Sequence, residues 1–151
     1  MRGGLTRVQA GLAALDALSG TEAICCFLSE DERPLSGAAG FLDWRLCGGL
    51  SRVLKAGFFN GAPGEKLLLP SSGQVPAPKI FAFGLGRSSA ITPLGLEHAL
   101  SQAGGMLTKA QVSSVALAFP TLPKSVDATR DEIVARTFAA AFSGRVTVFT
   151  G

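Results

Sequence analysis

His98 is the only histidine in 151 residues, so any serine or cysteine nucleophile that needed an imidazole base would have to be activated through it. It stands beside Glu97 within a helical pattern, and no Gly-x-Ser-x-Gly turn is present to offer a partner serine. The expected place of His98 is therefore a helix surface. A two-metal hydrolase instead needs several carboxylates converging on ions roughly 4 Å apart. The acids are not spaced that way: Glu30, Asp31 and Glu32 are consecutive, and Asp131 and Glu132 open a helical pattern, where the helix dipole favours negative charge. Solvated-loop and helix-cap roles are expected for them, with no catalytic residue and no metal ligand assigned. Cys25, Cys26 and Cys47 are odd in number and lack both Cys-x-x-Cys spacing and a histidine pair, which predicts reduced, buried thiols.

The segment best suited to binding is Gly84-Leu85-Gly86-Arg87-Ser88-Ser89, which reads as a strand end, a flexible loop and a helix start. Backbone N–H groups at such a junction can face an anion, and Arg87 can add a charge-assisted contact. Gly84, Gly86, Arg87, Ser88 and Ser89 are the candidate ligand residues, for a small phosphate-containing ligand. The competing reading is that the glycines only turn the chain tightly, since a lone Gly-x-Gly is a weak signal.

The elements that would position these residues follow from periodicity. With 47% apolar and 17% charged residues, the chain has ample material for a core, and residues 1–151 read as a single domain. The net charge of +3 is scattered rather than gathered into a basic run, and Tyr is absent; nucleic-acid binding is not expected. Arg2 precedes an apolar stretch, but Gln9 and Asp16 interrupt it, while Leu5, Val8, Leu12, Leu15 and Leu18 recur at helical spacing. The prediction is an amphipathic helix rather than a leader. No segment has the roughly 20 apolar residues needed to span a bilayer, so a soluble, cytoplasmic protein with no membrane partner is expected.

Glu22 to Ser29 is an almost continuous apolar run, the pattern of a strand covered on both faces. Pro34 to Gly40 reads as an irregular segment or short edge strand. A helix is predicted from about Phe41 to Ala56, stopped by Gly57, with Gly48 and Gly49 inside it marking close contact with a neighbour. Strands at Glu65–Pro70 and Lys79–Leu85 read as a hairpin pair, and a helix starts at Thr92-Pro93 with Thr as N-cap. Val112–Phe119 is a further interior strand. Thr129 and Glu132 have capping-box spacing ahead of a helix to about Phe142, and a last strand runs from Arg145 to Thr150. This order implies a three-layer α/β/α domain around a mixed sheet of about five to six strands.

Three motifs occur in order: Gly40-Phe41-Leu42-Asp43, Gly57-Phe58-Phe59-Asn60-Gly61-Ala62-Pro63-Gly64-Glu65, and Phe83-Gly84-Leu85-Gly86. Across roughly Thr21 to Gly151 the chain resembles the N-terminal domain of leucine aminopeptidases. The resemblance implies a macro-domain-like fold. It also implies that the family's two divalent metals, Zn or Mn, and its catalytic Lys and Arg belong to a separate C-terminal domain carrying an Asn-Thr-Asp-Ala-Glu-Gly-Arg motif, which this sequence lacks. It is expected to stop where the linker to that domain would begin, and to need no cofactor of its own.

Three functions remain open at this level. One is a non-catalytic accessory domain acting through a protein partner or self-association. Another is a nucleotide- or phosphate-binding module using the Gly84–Ser89 loop, by analogy with macro domains that bind ADP-ribose, although their glycine-rich, Asn-containing ribose segment is not evident here. The third is the non-catalytic piece of a split metallo-aminopeptidase.

Overall fold

A computed structural model describes residues 5–151. Six strands form one sheet in the order β1-β6-β5-β2-β4-β3. They are β1 (Leu5–Gln9), β2 (Ala23–Ser29), β3 (Lys66–Pro70), β4 (Lys79–Gly86), β5 (Ser114–Ala118) and β6 (Arg145–Thr150). Every pairing is parallel except that of β3 with β4, where Leu68 lies opposite Phe81.

All residues of β2 are buried, because the strand sits between β4 and β5 and both its faces are covered. Alternation then divides its side chains between two cores. Cys25 and Phe27 join Phe83, Leu117 and the residues of α4 (Pro93–Lys109) on one face. Ile24, Cys26 and Leu28 join Leu42, Leu50 and Phe59 on the other. That second face is covered by α1 (Leu12–Asp16), α2 (Gly37–Arg45) and α3 (Gly49–Ala56). The first is closed by α4 and a helical run made of α5 (Lys124–Asp127), α6 (Arg130–Ile133), a π turn at Val134–Phe138 and α7 (Ala139–Ala141). The architecture is the expected α/β/α sandwich around a mixed sheet.

Four local expectations are corrected. The helix predicted through Leu5, Val8, Leu12, Leu15 and Leu18 is instead strand β1 followed by the short α1. Leu5 and Val8 pair with Val146 and Phe149 along the otherwise open edge of β6, and completing that edge outweighs a helical spacing that two strand residues can match by chance. Arg2 lies outside the described residues.

Pro34–Gly40 forms no edge strand, and α2 begins at Gly37. The helix predicted from Phe41 to Ala56 is broken into α2 and α3. Cys47 and Gly48 take left-handed backbone angles, φ 54° and 82°, which Gly48 reaches without a Cβ penalty. The two glycines thus end one helix and start the next, rather than marking contact with another element. Asp43 secures the break: its Oδ1 accepts from the N–H groups of Leu50 (2.9 Å) and Ser51 (3.1 Å), capping α3 from the helix before it.

The Thr129–Glu132 capping box is not formed. The unforeseen α5 runs directly into this point, and the Thr129 hydroxyl donates back to the Val126 carbonyl at 3.1 Å. Elsewhere local chemistry holds, as at Thr92, whose Oγ1 accepts from the Gly95 N–H at 3.0 Å to cap α4.

Candidate functional site at the strand carboxyl ends

The chain leaves β2 toward the β4 edge and leaves β5 toward the β6 edge. The connections therefore diverge between β2 and β5, and in an open α/β sheet such a divergence opens a crevice beyond the carboxyl ends of the strands. A cavity of about 330 Å³ lies there, lined among others by Ser36, Gly37, Thr121, Arg130 and Thr150. Phe119, stacked on Phe27 with centroids 5.0 Å apart, forms an apolar wall, and the Arg130 guanidinium lies 5.4 Å from the Phe119 ring centre. Arg130 is itself paired with Asp131 at 3.2 Å and with Asp127 at 3.6 Å.

The acidic loop after β2 reaches into this region. Glu32 accepts from the Thr121 hydroxyl at 2.6 Å and from the Ser36 hydroxyl at 2.9 Å, so its carboxylate ties the loop after β5 to the entry of α2. Asp31 turns the other way and accepts from both the N–H and the hydroxyl of Ser88, each at 2.9 Å. Those two bonds, aided by the nearby Arg87 charge, hold the Asp31 carboxyl below its ordinary range. Asp31 is an exposed loop acid, as expected, and Glu32 is half-buried, but both also staple loops together, a role their adjacency did not predict. Only the fold brings Ser88 and Thr121 to them, 57 and 89 residues along the chain.

The five candidate ligand residues remain together at the end of β4, but their backbone donors are largely engaged. The Gly84 N–H donates to the Glu65 carbonyl at 3.0 Å, and the Gly86 N–H to the Gly61 carbonyl at 2.8 Å. The Gly84 backbone is packed so closely on the 61–62 segment that a Cβ would lie 2.0 Å from the Ala62 carbonyl oxygen. Ser88 opens a three-residue 3₁₀ turn whose first N–H is the one held by Asp31. Arg87 and Ser89 are exposed. Where a phosphate would accept hydrogen bonds, the protein's own carboxylate already does so.

Other candidates disperse. His98 is exposed on α4, and its neighbour Glu97 pairs with Arg136 at 3.3 Å. Cys25 and Cys26 are buried, and desolvation pushes the Cys26 thiol up to about 12. Cys47 is exposed, contrary to expectation, because the left-handed turn between α2 and α3 carries it outward. Among the described residues no three His, Cys, Asp or Glu side chains gather as a metal site. The acids nearest the crevice are spent on N–H and O–H donors, so the residues present do not fit the metal pair that the aminopeptidase resemblance implies for a catalytic domain. No helix of the described residues is long and apolar enough to cross a membrane.

Comparison with known proteins places this geometry. Residues 23–145 match the model of the cytosol aminopeptidase family, N-terminal domain. A probable cytosol aminopeptidase of Burkholderia multivorans is 32% identical over 93 residues, covering 62% of this chain and 18% of the relative. The chain thus spans less than a fifth of the length of that relative. Among solved structures, a tomato leucine aminopeptidase variant is similar with TM-score 0.72 at 16% identity, over 99% of this chain and 32% of that one. The macrodomain of Mycobacterium tuberculosis DarG is similar with TM-score 0.68 at 16% identity, over 99% of both chains. At such identities these likenesses establish the fold, which is macro-domain-like.

Proposed function

This chain belongs to the cytosol aminopeptidase family through that family's N-terminal domain, and on that premise we propose that it is a non-catalytic accessory domain, acting through contact with a protein partner. The observation that carries this reading is the internal occupation of the strand carboxyl ends. Asp31 holds the donors of Ser88, and Glu32 holds those of Thr121 and Ser36. A ligand arriving there must displace charge-assisted bonds already made. The crevice at the strand carboxyl ends is thereby bordered by groups that hold the protein's own loops in place.

A protein contact is supported by the second face of the molecule, where Trp44 is 72% and Phe41 39% exposed along α2. The partner in this proposal is an aminopeptidase catalytic domain, including the case of a split enzyme whose catalytic subunit is a separate polypeptide. The cytosolic setting carried by the family's name belongs to the same proposal.

The test is hydrolysis of Leu-p-nitroanilide by the purified chain with Mn²⁺ or Zn²⁺, run beside light scattering with and without a family catalytic domain. No turnover by the chain alone, together with a heavier complex when the catalytic domain is added, is the expected result. Chelator-sensitive turnover by the chain alone, or no association, would overturn the proposal. The nucleotide-binding reading keeps one specific support, the cavity beside Arg130 at a site where α/β sheets accept ligands. It requires ADP-ribose to raise the melting temperature, and the carboxylate staples predict no shift.

A further inference from the structure

On the shoulder formed by the loop after β2 and by helix α3, a cavity of about 500 Å³ is lined by Arg33, Pro34, Ser51, Arg52, Leu54 and Lys55. Three of these carry positive charge, and among the described residues none of the three forms an ion pair. Their hydrogen-bond partners are neutral. Arg33 donates to the carbonyls of Ser29 at 3.0 Å and Glu32 at 2.8 Å, and Arg52 donates to the carbonyl of Cys47 at 2.6 Å. Carbonyl contacts fix a guanidinium in place without cancelling its charge.

Among the described residues the acids nearest in sequence form no ion pair with these cations. Glu32 is spent on Thr121 and Ser36, Asp43 on the start of α3, and Glu65 on the N–H groups of Asn60 and Ala62. Arg52 and Lys55 are three residues apart on α3 and so project from one flank, with Arg33 facing them from the preceding loop. Pro34 and Leu54 add apolar wall.

We propose that Arg33, Arg52 and Lys55 form a binding site for a small multivalent anion, a phosphate ester or polycarboxylate, in the cleft beside α3. Three cations around one cavity suit a ligand of two or three negative charges, and because both guanidinium groups are already oriented only Lys55 must be ordered on binding. The site is separate from the strand carboxyl ends and does not depend on the accessory-domain reading.

The test is calorimetric titration of the full chain with pyrophosphate, citrate and acetate at low and at 0.15 M salt, with amide chemical shifts to place the ligand. Pyrophosphate and citrate are expected to bind one to one, with Kd on the order of 0.1 mM at low salt, weakening as salt rises because exposed charges are screened over about 8 Å. Acetate is expected to give no saturable heat. Lys55→Gln, at an exposed side chain that makes no hydrogen bond among the described residues, should weaken both multivalent ligands about threefold to tenfold, and Arg52→Gln/Lys55→Gln by more than tenfold. Absence of binding, binding unchanged in Lys55→Gln, or shifts centred on Ser88 and Thr121 rather than on residues 51–55 would overturn the site.

Discussion

The three consecutive residues Asp31, Glu32 and Arg33 end in two environments. The two carboxylates reach into the strand carboxyl ends and meet N–H and O–H donors from other loops, whereas the guanidinium turns to the α3 shoulder and meets only carbonyls. At the first region the charged groups tie distant loops of the molecule together, and at the second three cations with no ion pair among the described residues line one cleft. A concave place at a topologically favoured position is therefore a poor guide to binding until its polar groups have been paired off, and a plain helix flank can hold the groups that remain.

The strongest way to break this comparison is to attack the packing behind the first region. Gly84→Ala sets a methyl 2.0 Å from the Ala62 carbonyl oxygen, with backbone on both sides of the clash, and should cost about 3 kcal/mol or more. A urea midpoint shifted by less than about 0.5 kcal/mol would mean that the strand end is not held as described. Asp43→Ala, which uncaps α3 beneath the cation cluster, is expected to cost about 1–2 kcal/mol. It should also weaken pyrophosphate binding at the α3 cleft, if the start of that helix sets the position of Arg52; undiminished affinity would show that the helix keeps its place without the cap.

Asp31→Asn with Glu32→Gln sharpens the contrast directly. The double variant should speed amide exchange at Ser88 and Thr121 without weakening pyrophosphate affinity at the α3 cleft, since Arg33 contacts only the main-chain carbonyl of Glu32, which the substitutions keep. A large loss at the cleft would join the regions into one. The same carboxylates govern acid sensitivity. Asp31 is held low by the Ser88 N–H and hydroxyl. For Asp131 burial pushes upward, but the bonds and charges of Arg7 and Arg130 outweigh it and the carboxyl is lowered. A carboxyl lower in the folded than in the unfolded state adds stability above its unfolded value, near pH 4, and loses it as pH falls through the folded value. Urea midpoints should therefore decline below about pH 4, less steeply in Asp31→Asn.

The smallest expected effect is chemical. Of the three cysteines only Cys47 is exposed, so a thiol reagent should label one group in the native protein and all three in denaturant. Native labelling of Cys25 or Cys26 would contradict the closed sheet on which both regions rest.

The sequence by itself determined the elements whose residues answer to their own neighbours. The unbroken apolar run of β2, Thr92-Pro93 at the start of α4, the stop at Gly57 and the order of strands and helices are all short-range facts, and the motif resemblance located the family. Tertiary structure decided what depends on distant partners. Leu5 and Val8 became strand residues because β6 needed an edge partner, and Asp43 split a helix by capping the next one. Asp31 and Glu32 became staples because folding brought Ser88 and Thr121 within hydrogen-bond reach. Several charged contacts were decided there too: such a bond forms only over a few ångströms, and partners of Arg7, Arg45, Asp31 and Glu32 lie tens of positions away along the chain.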